Sequence, residues 1–123
     1  MNKGKISYKK EAHLALSRGE LRKALEHFQK HCTQLPEDLR SRLKAAELLE
    51  RLGQKKEAIC EYREVAESYA RDGFLLQAIS VNKMVLRIDP SAKGVNARLA
   101  QLYTEKARES KHLCPLPYIP LFS

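Results

Sequence analysis

The chain has 123 residues, of which 43% are hydrophobic and 31% are charged, and this length and composition suit one domain with a buried core. No apolar run approaches the ~18 residues that a membrane span requires, and the basic N-terminus lacks the apolar segment of a secretory signal. We therefore expect a cytoplasmic protein. Its three cysteines have no paired spacing, so we expect reduced thiols and no disulfide framework.

The net charge of +8 is unevenly distributed along the chain. Residues 1–56 contain 14 Lys and Arg against 7 Asp and Glu, whereas residues 57–123 contain 9 against 8. The basic character therefore belongs to the N-terminal half. It favours an acidic partner surface or phosphate groups at that end.

The spacing of apolar residues predicts helices along most of the chain. Gly19, Gly53 and Gly73 each follow such a segment, and glycine supplies the left-handed residue that commonly ends a helix. Pro36 and Pro90 stop the helices before them. The predicted order is six helices, at about 5–17, 21–34, 38–52, 55–71, 74–88 and 92–111.

Three of these segments repeat one pattern. Gly19 and Gly53 lie 34 residues apart, and at the same offset Phe28 matches Tyr62. A third copy follows Gly73. Helix–turn–helix units of 34 residues with Gly, Ala, an aromatic residue and Pro at these positions resemble the tetratricopeptide repeat. The resemblance implies an all-α solenoid of antiparallel helical hairpins over residues 1–112.

One departure from the repeat changes its organisation. Gly53 and Gly73 are only 20 residues apart, so the segment between them has to serve two repeats at once. It carries one apolar stripe and no helix breaker, which predicts a single helix of about 27 Å. The stripe consists of Ile59, Tyr62, Val65, Ala66 and Tyr69.

The sequence shows no arrangement typical of catalysis. It has no nucleophile motif, phosphate-binding loop or metalloprotease signature. His27, His31 and Cys32 could face one metal ion from a helix, but no second cluster completes a ligand set. We expect no enzymatic activity, no metal and no cofactor, and we interpret Cys32, Cys60 and Cys114 as small apolar residues of the interior.

The resemblance implies a binding role instead. Tetratricopeptide-like solenoids bind peptides or protein surfaces on the concave wall formed by their first helices. Chaperone-binding members hold a terminal carboxylate with Lys and Asn residues; of these only Lys9 has a counterpart here, which argues against that ligand. The wall mixes basic charge with leucines, so we expect an acidic partner with apolar anchors. Its predicted residues are Lys9, His13, Leu16, Arg40, Leu43, Lys44, Glu47, Arg63 and Glu67.

These features predict a protein-interaction scaffold or adaptor, in the N-terminal part of a larger regulatory protein. A basic helical module that binds nucleic acid is the alternative. It would depend on the charge of the N-terminal half alone, since no recognition motif is present and no aromatic residues are interleaved with the basic ones.

Residues 113–123, "LCPLPYIPLFS", form an uncharged, proline-rich strap that cannot be helical. We expect it to dock on its own solenoid or on a second copy, or to lead into a following domain. "IPLFS" resembles the opening of cyclic-nucleotide-binding domains, and "PYIP" matches a P-x-x-P ligand. The side chains predicted to dock are Leu116, Tyr118, Ile119, Leu121 and Phe122.

Overall fold

The computed structural model describes residues 7–113, and this part of the chain contains six α-helices and no strand. The predicted strap lies outside the described residues, apart from Leu113. That residue was predicted to be non-helical, but it is the last residue of α6, which therefore ends later than the predicted residue 111. The helices are α1 (Tyr8–Ser17), α2 (Leu21–Gln34), α3 (Leu39–Arg51), α4 (Lys55–Arg71), α5 (Leu75–Ile88) and α6 (Val95–Leu113).

A capping side chain and left-handed glycines set the boundaries of the helices. The hydroxyl oxygen of Ser7 accepts a hydrogen bond from the backbone N–H of Lys10 and caps α1. Gly53 follows α3 with φ +84°, and Gly73 follows α4 with φ +85°. Side chains rarely adopt this left-handed conformation, so glycine allows the sharp reversal into the next helix.

Each helix packs against the helices before and after it in the chain. Alternate helices also lie side by side, because Arg87 of α5 binds Glu50 of α3, and Arg98 of α6 binds Glu67 of α4. The odd-numbered helices therefore form one layer and the even-numbered helices the other. The predicted all-α architecture of six stacked antiparallel helices is confirmed for residues 7–113.

The core lies between the two layers. Alanines allow the helices to approach closely, and large side chains fill the remaining space. Phe28 and Tyr62 are the largest of these and are almost completely buried. The fully buried alanines are Ala12, Ala24, Ala46, Ala58 and Ala78.

The predicted single helix between Gly53 and Gly73 is confirmed as α4. Two predicted starts, at residues 5 and 92, were too early by three residues. The cap at Ser7 delays α1 to Tyr8, and the left-handed Gly94, with φ +76°, delays α6 to Val95. The interpretation of Cys60 as an interior residue was wrong, since it is exposed. Ala58 and Tyr62 both face the core, and a position two residues from each faces the opposite side of the helix.

Cys32 is only half-buried, because the core position at this turn of α2 is taken by His31. No helix within residues 7–113 combines the length and apolar character needed to cross a bilayer.

Phe28→Ala should lower the free energy of unfolding by about 3–5 kcal/mol, since the ring is 1% exposed and its removal leaves a cavity. Phe74→Ala is the matched control, because Phe74 is 51% exposed, and it should cost about 1 kcal/mol or less. Urea denaturation followed by circular dichroism measures both. Equal losses would contradict the packing of α2 described above.

Candidate functional site

An open groove runs between α3 and α5 in the odd-numbered layer. Its volume is about 400 Å³, and no charged side chain lines it. Leu76 stands at its edge with 60% of its surface exposed. The lining residues are Leu43, Tyr69, Leu76, Gln77, Ser80, Val81 and Met84.

The groove exists because α5 is apolar on two faces. Ala78, Ile79 and Val85 face the core and are buried. A second stripe, formed by Leu76, Ser80 and Met84 at spacings of four residues, lines the groove instead. Leu76 therefore exposes apolar surface to water, and covering this surface with an apolar group of another molecule or segment would be favourable.

Aromatic side chains mark the end of the groove where α5 begins. The rings of Tyr69 and Phe74 meet edge to face, with their centroids 6.2 Å apart. This arrangement is favourable for aromatic pairs. Phe74 remains half exposed, so this end adds further apolar surface.

An ion pair joins α3 and α5 beyond the other end of the groove. Arg87 donates to both carboxylate oxygens of Glu50, at 2.8 and 3.2 Å, and the hydroxyl of Tyr62 donates to Glu50 at 3.0 Å. The hydrogen bond from Arg87 is the main cause of the lowered pKa of Glu50. Burial, together with the hydrogen bond to Glu50, raises the pKa of Tyr62. The contacts fix the spacing of α3, α4 and α5.

The predicted wall residues on α1 and α3 lie in the same layer as this groove. Lys9 and His13 line a shallow hollow on α1. The ammonium group of Lys9 reaches Asp38 at the start of α3, with 3.4 Å between nitrogen and oxygen. Lys44 pairs with Glu47 at 3.2 Å on the surface of α3. Arg40 is exposed and Leu16 is half-buried.

Arg63 and Glu67, predicted for the same wall, lie elsewhere. They belong to α4 and contact the start of α6, where Arg98 donates to both carboxylate oxygens of Glu67, at 2.7 and 3.0 Å. Arg63 donates to the backbone carbonyl of Lys93 at 2.6 Å. The structure therefore divides the predicted wall into two surfaces, because α4 lies in the even-numbered layer.

Asp38 organises the corner between α2 and α3. Its carboxylate lies 2.8 Å from Nε2 of His31 and accepts hydrogen bonds from the hydroxyl and backbone N–H of Ser41, at 2.9 and 3.2 Å. Partial burial raises the pKa of Asp38, but the hydrogen bonds from His31, Ser41 and Lys9 together hold it well below its ordinary value of 3.8.

His31 therefore has a structural role as a hydrogen-bond partner of Asp38. His27 stacks on Tyr8, with ring centroids 6.2 Å apart. Among residues 7–113 no group of three or more His, Cys, Asp and Glu side chains is placed to hold a metal ion.

Sequence reasoning missed the α5 side of the groove. The repeat pattern makes α5 a second helix, and second helices were not expected on the binding wall. Two features of the sequence indicate this side of the groove. One is the four-residue spacing from Leu76 to Met84, and the other is the short sequence separation between Gly53 and Gly73.

No protein-family model and no curated protein matches the chain. Among solved structures, the first TPR of Spaghetti (RPAP3) bound to the HSP90 peptide SRMEEVD has 15% identity and a TM-score of 0.43, and the match covers 81% of this chain and 90% of that chain. The NMR structure of the first TPR domain of human RPAP3 has 14% identity and a TM-score of 0.42, with 85% and 93% coverage.

The acid stability of the chain should depend on Asp38. Its pKa is lower in the folded than in the unfolded state, so the unfolded state binds more protons as the pH falls below about 5, and stability drops. Asp38→Asn should lower the free energy of unfolding by about 1–2 kcal/mol at neutral pH, because its hydrogen bonds are weaker. It should also reduce the further loss of stability as the pH falls.

Urea denaturation at several pH values between neutrality and the acid limit of folding measures this slope. The control is Asp72→Asn, since Asp72 is exposed at the end of α4 and should leave the slope unchanged. If Asp38→Asn keeps the full acid loss, the network around Asp38 does not stabilise the fold as described.

Proposed function

We propose that the chain is a protein–protein interaction module whose odd-numbered helices bind a segment of a partner protein. The observation that carries the proposal is the uncharged groove between α3 and α5, with Leu76 exposed at its edge. Apolar side chains of the partner enter this groove. Exposed apolar patches of this kind on otherwise charged surfaces are typical of sites that bind another protein.

The chemistry beside the groove selects an acidic partner with apolar anchors. Lys9, Arg40 and Lys44 lie on α1 and α3, within the basic half of the chain. The contacts of Lys9 with Asp38 and of Lys44 with Glu47 are exposed ion pairs, which are worth little in water. A carboxylate of the partner can therefore replace Asp38 or Glu47 at low cost, and steering by the basic surface speeds association.

His13, Leu16 and Leu43 complete this binding face in the proposal. Leu43 lines the groove itself, and the ring of His13 packs edge to face on Phe28, with centroids 5.3 Å apart. Arg63 and Glu67 are left out of the face, because their side chains are engaged with the start of α6. The proposed role is that of an adaptor without enzymatic activity.

The adaptor would act in the cytoplasm as part of a larger regulatory protein. The support for this context is the resemblance of residues 119–123 to the opening of cyclic-nucleotide-binding domains. Nucleic-acid binding, the alternative from the sequence, gains no support from the described residues. Arg42, Arg87 and Arg98 are held by carboxylates of neighbouring helices instead of forming an open basic track.

Selection of displayed random peptides on the immobilised chain tests the proposal. We expect enriched peptides to combine Leu, Ile, Phe or Met with Asp or Glu. Leu76→Lys should weaken their binding at least tenfold, since a buried apolar contact of about 1.4 kcal/mol or more is lost. Lys44→Glu should weaken the binding of these peptides less than Leu76→Lys does, and it should reduce the dependence of binding on salt.

Leu35→Lys is the matched control, because Leu35 is also an exposed leucine but lies at the end of α2, outside the groove and the hollow on α1. It should bind the selected peptides as the parent chain does. The proposal fails if no peptide is enriched, or if the enriched peptides bind the Leu76→Lys variant with unchanged affinity.

A further inference from the structure

We propose that residues 114–123 of the same chain fold back and occupy the groove between α3 and α5. This inference concerns the regulation of the proposed binding site, and it shares that groove with the proposed function. The strap would be an intramolecular ligand that a partner has to displace.

The groove and the strap match in polarity. No charged side chain lines the groove, and no charged residue occurs between Leu113 and Ser123, in a chain that is 31% charged. An acidic peptide would gain nothing from the groove lining itself. An uncharged apolar segment buries its side chains there without removing a charge from water.

The backbone chemistry also matches. An extended segment has to satisfy its N–H and C=O groups when it is buried. Pro115, Pro117 and Pro120 have no N–H to satisfy, and they favour an extended conformation. Gln77 and Ser80, both polar residues of the groove lining, can donate hydrogen bonds to the carbonyl groups of such a segment.

The distance can be spanned. α5 and α6 form an antiparallel hairpin about a turn near residue 91, so Ala107 lies roughly level with Leu76, and Leu113 lies about 9 Å further on. The ten residues after Leu113 reach ~31 Å when extended. The strap needs ~9 Å to come back level with Leu76 and ~10 Å to pass around the start of α5, so about 12 Å of its length remains for the groove. The groove from Leu76 to Met84 has this length, at ~1.5 Å per helical residue.

The path passes apolar surface at its entry. Phe74, at the start of α5, is half exposed and its ring meets that of Tyr69, a groove-lining residue, edge to face. A strap that leaves α6 would cross this pair before it enters the groove. Leu116 and Tyr118 are placed for this crossing, and Ile119, Leu121 and Phe122 for the groove itself.

A tryptophan reporter tests the proposal in the full chain. The chain contains no tryptophan, so Phe122→Trp introduces the sole indole. If the strap occupies the groove, its emission should be shifted to the blue of a peptide containing residues 114–123 with the same substitution. Its quenching by acrylamide should also be reduced. Both effects should be independent of protein concentration, with the mass of a monomer by light scattering.

Two groove variants and one control locate the indole. Leu76→Lys and Ser80→Glu each place a charge in the groove at an exposed position, so the fold should be kept, and each should abolish the blue shift and the protection. Leu35→Lys, at the end of α2, should keep both. Circular dichroism confirms that each variant is folded.

Three results would overturn the proposal. An emission equal to that of the free peptide means that the strap is not docked. A blue shift that both groove variants retain means that it docks elsewhere. A shift that appears only as the protein concentration and the mass rise together means that the groove takes the strap of a second copy.

The peptide selection described above separates this outcome from that of the proposed function. If peptides are selected but the tryptophan shift is absent, the proposed binding module is supported and the intramolecular ligand is ruled out. A tryptophan shift without selected peptides would do the reverse if the selection also fails on a chain whose strap is weakened by Leu121→Ser and Phe122→Ser, since a docked strap competes with the peptides.

Discussion

The architecture depends on the continuity of α4. This helix runs without interruption from Lys55 to Arg71, between two left-handed glycines, although the repeat pattern assigns it to two units. In a zigzag of antiparallel helices, successive helices alternate between two layers. Because one helix here takes the place of two, every later helix changes layer relative to its motif assignment.

The binding groove is a consequence of that change. α5 carries the sequence features of a second helix, yet it lies beside α3, which is a first helix. Its second apolar stripe, which includes Leu76 and Met84, is thereby brought next to Leu43 instead of into the even-numbered layer. The same change places α6 against α4, where Arg98 and Glu67 form their bidentate pair.

The sequence predicts the local structure well and the pairing of side chains poorly. Periodicity, glycines and prolines identify all six helices between residues 7 and 113, because each signal acts within a few residues of the backbone that it controls. The exposure of Cys60 and the capture of His31 by Asp38 depend on the rotation of a helix and on a neighbour across a turn. The division of the predicted wall depends on the layer order, and motif positions alone do not encode it.

The distribution of charge follows from the same layers. Arginines such as Arg42, Arg87 and Arg98 hold helices together through paired hydrogen bonds to carboxylates. Guanidinium groups suit this task because their donors are rigid and planar. Lys9 and Lys44, on α1 and α3, take part in ion pairs in which the lysine side chain is 48% and 43% exposed, so their charge remains accessible to a partner on the odd-numbered layer.

Competition between the strap and a partner would give these lysines a specific role. A segment tethered to its own site acts at an effective concentration of about 1 mM or more, so a weak apolar contact is enough to keep it bound. If the strap fills the groove nine-tenths of the time, the apparent affinity of a partner falls about tenfold. An uncharged strap gains nothing from Lys9, Arg40 or Lys44. A partner that carries carboxylates beside its apolar anchors gains from all three, and this difference would allow an acidic protein to displace the strap where a merely apolar one would not.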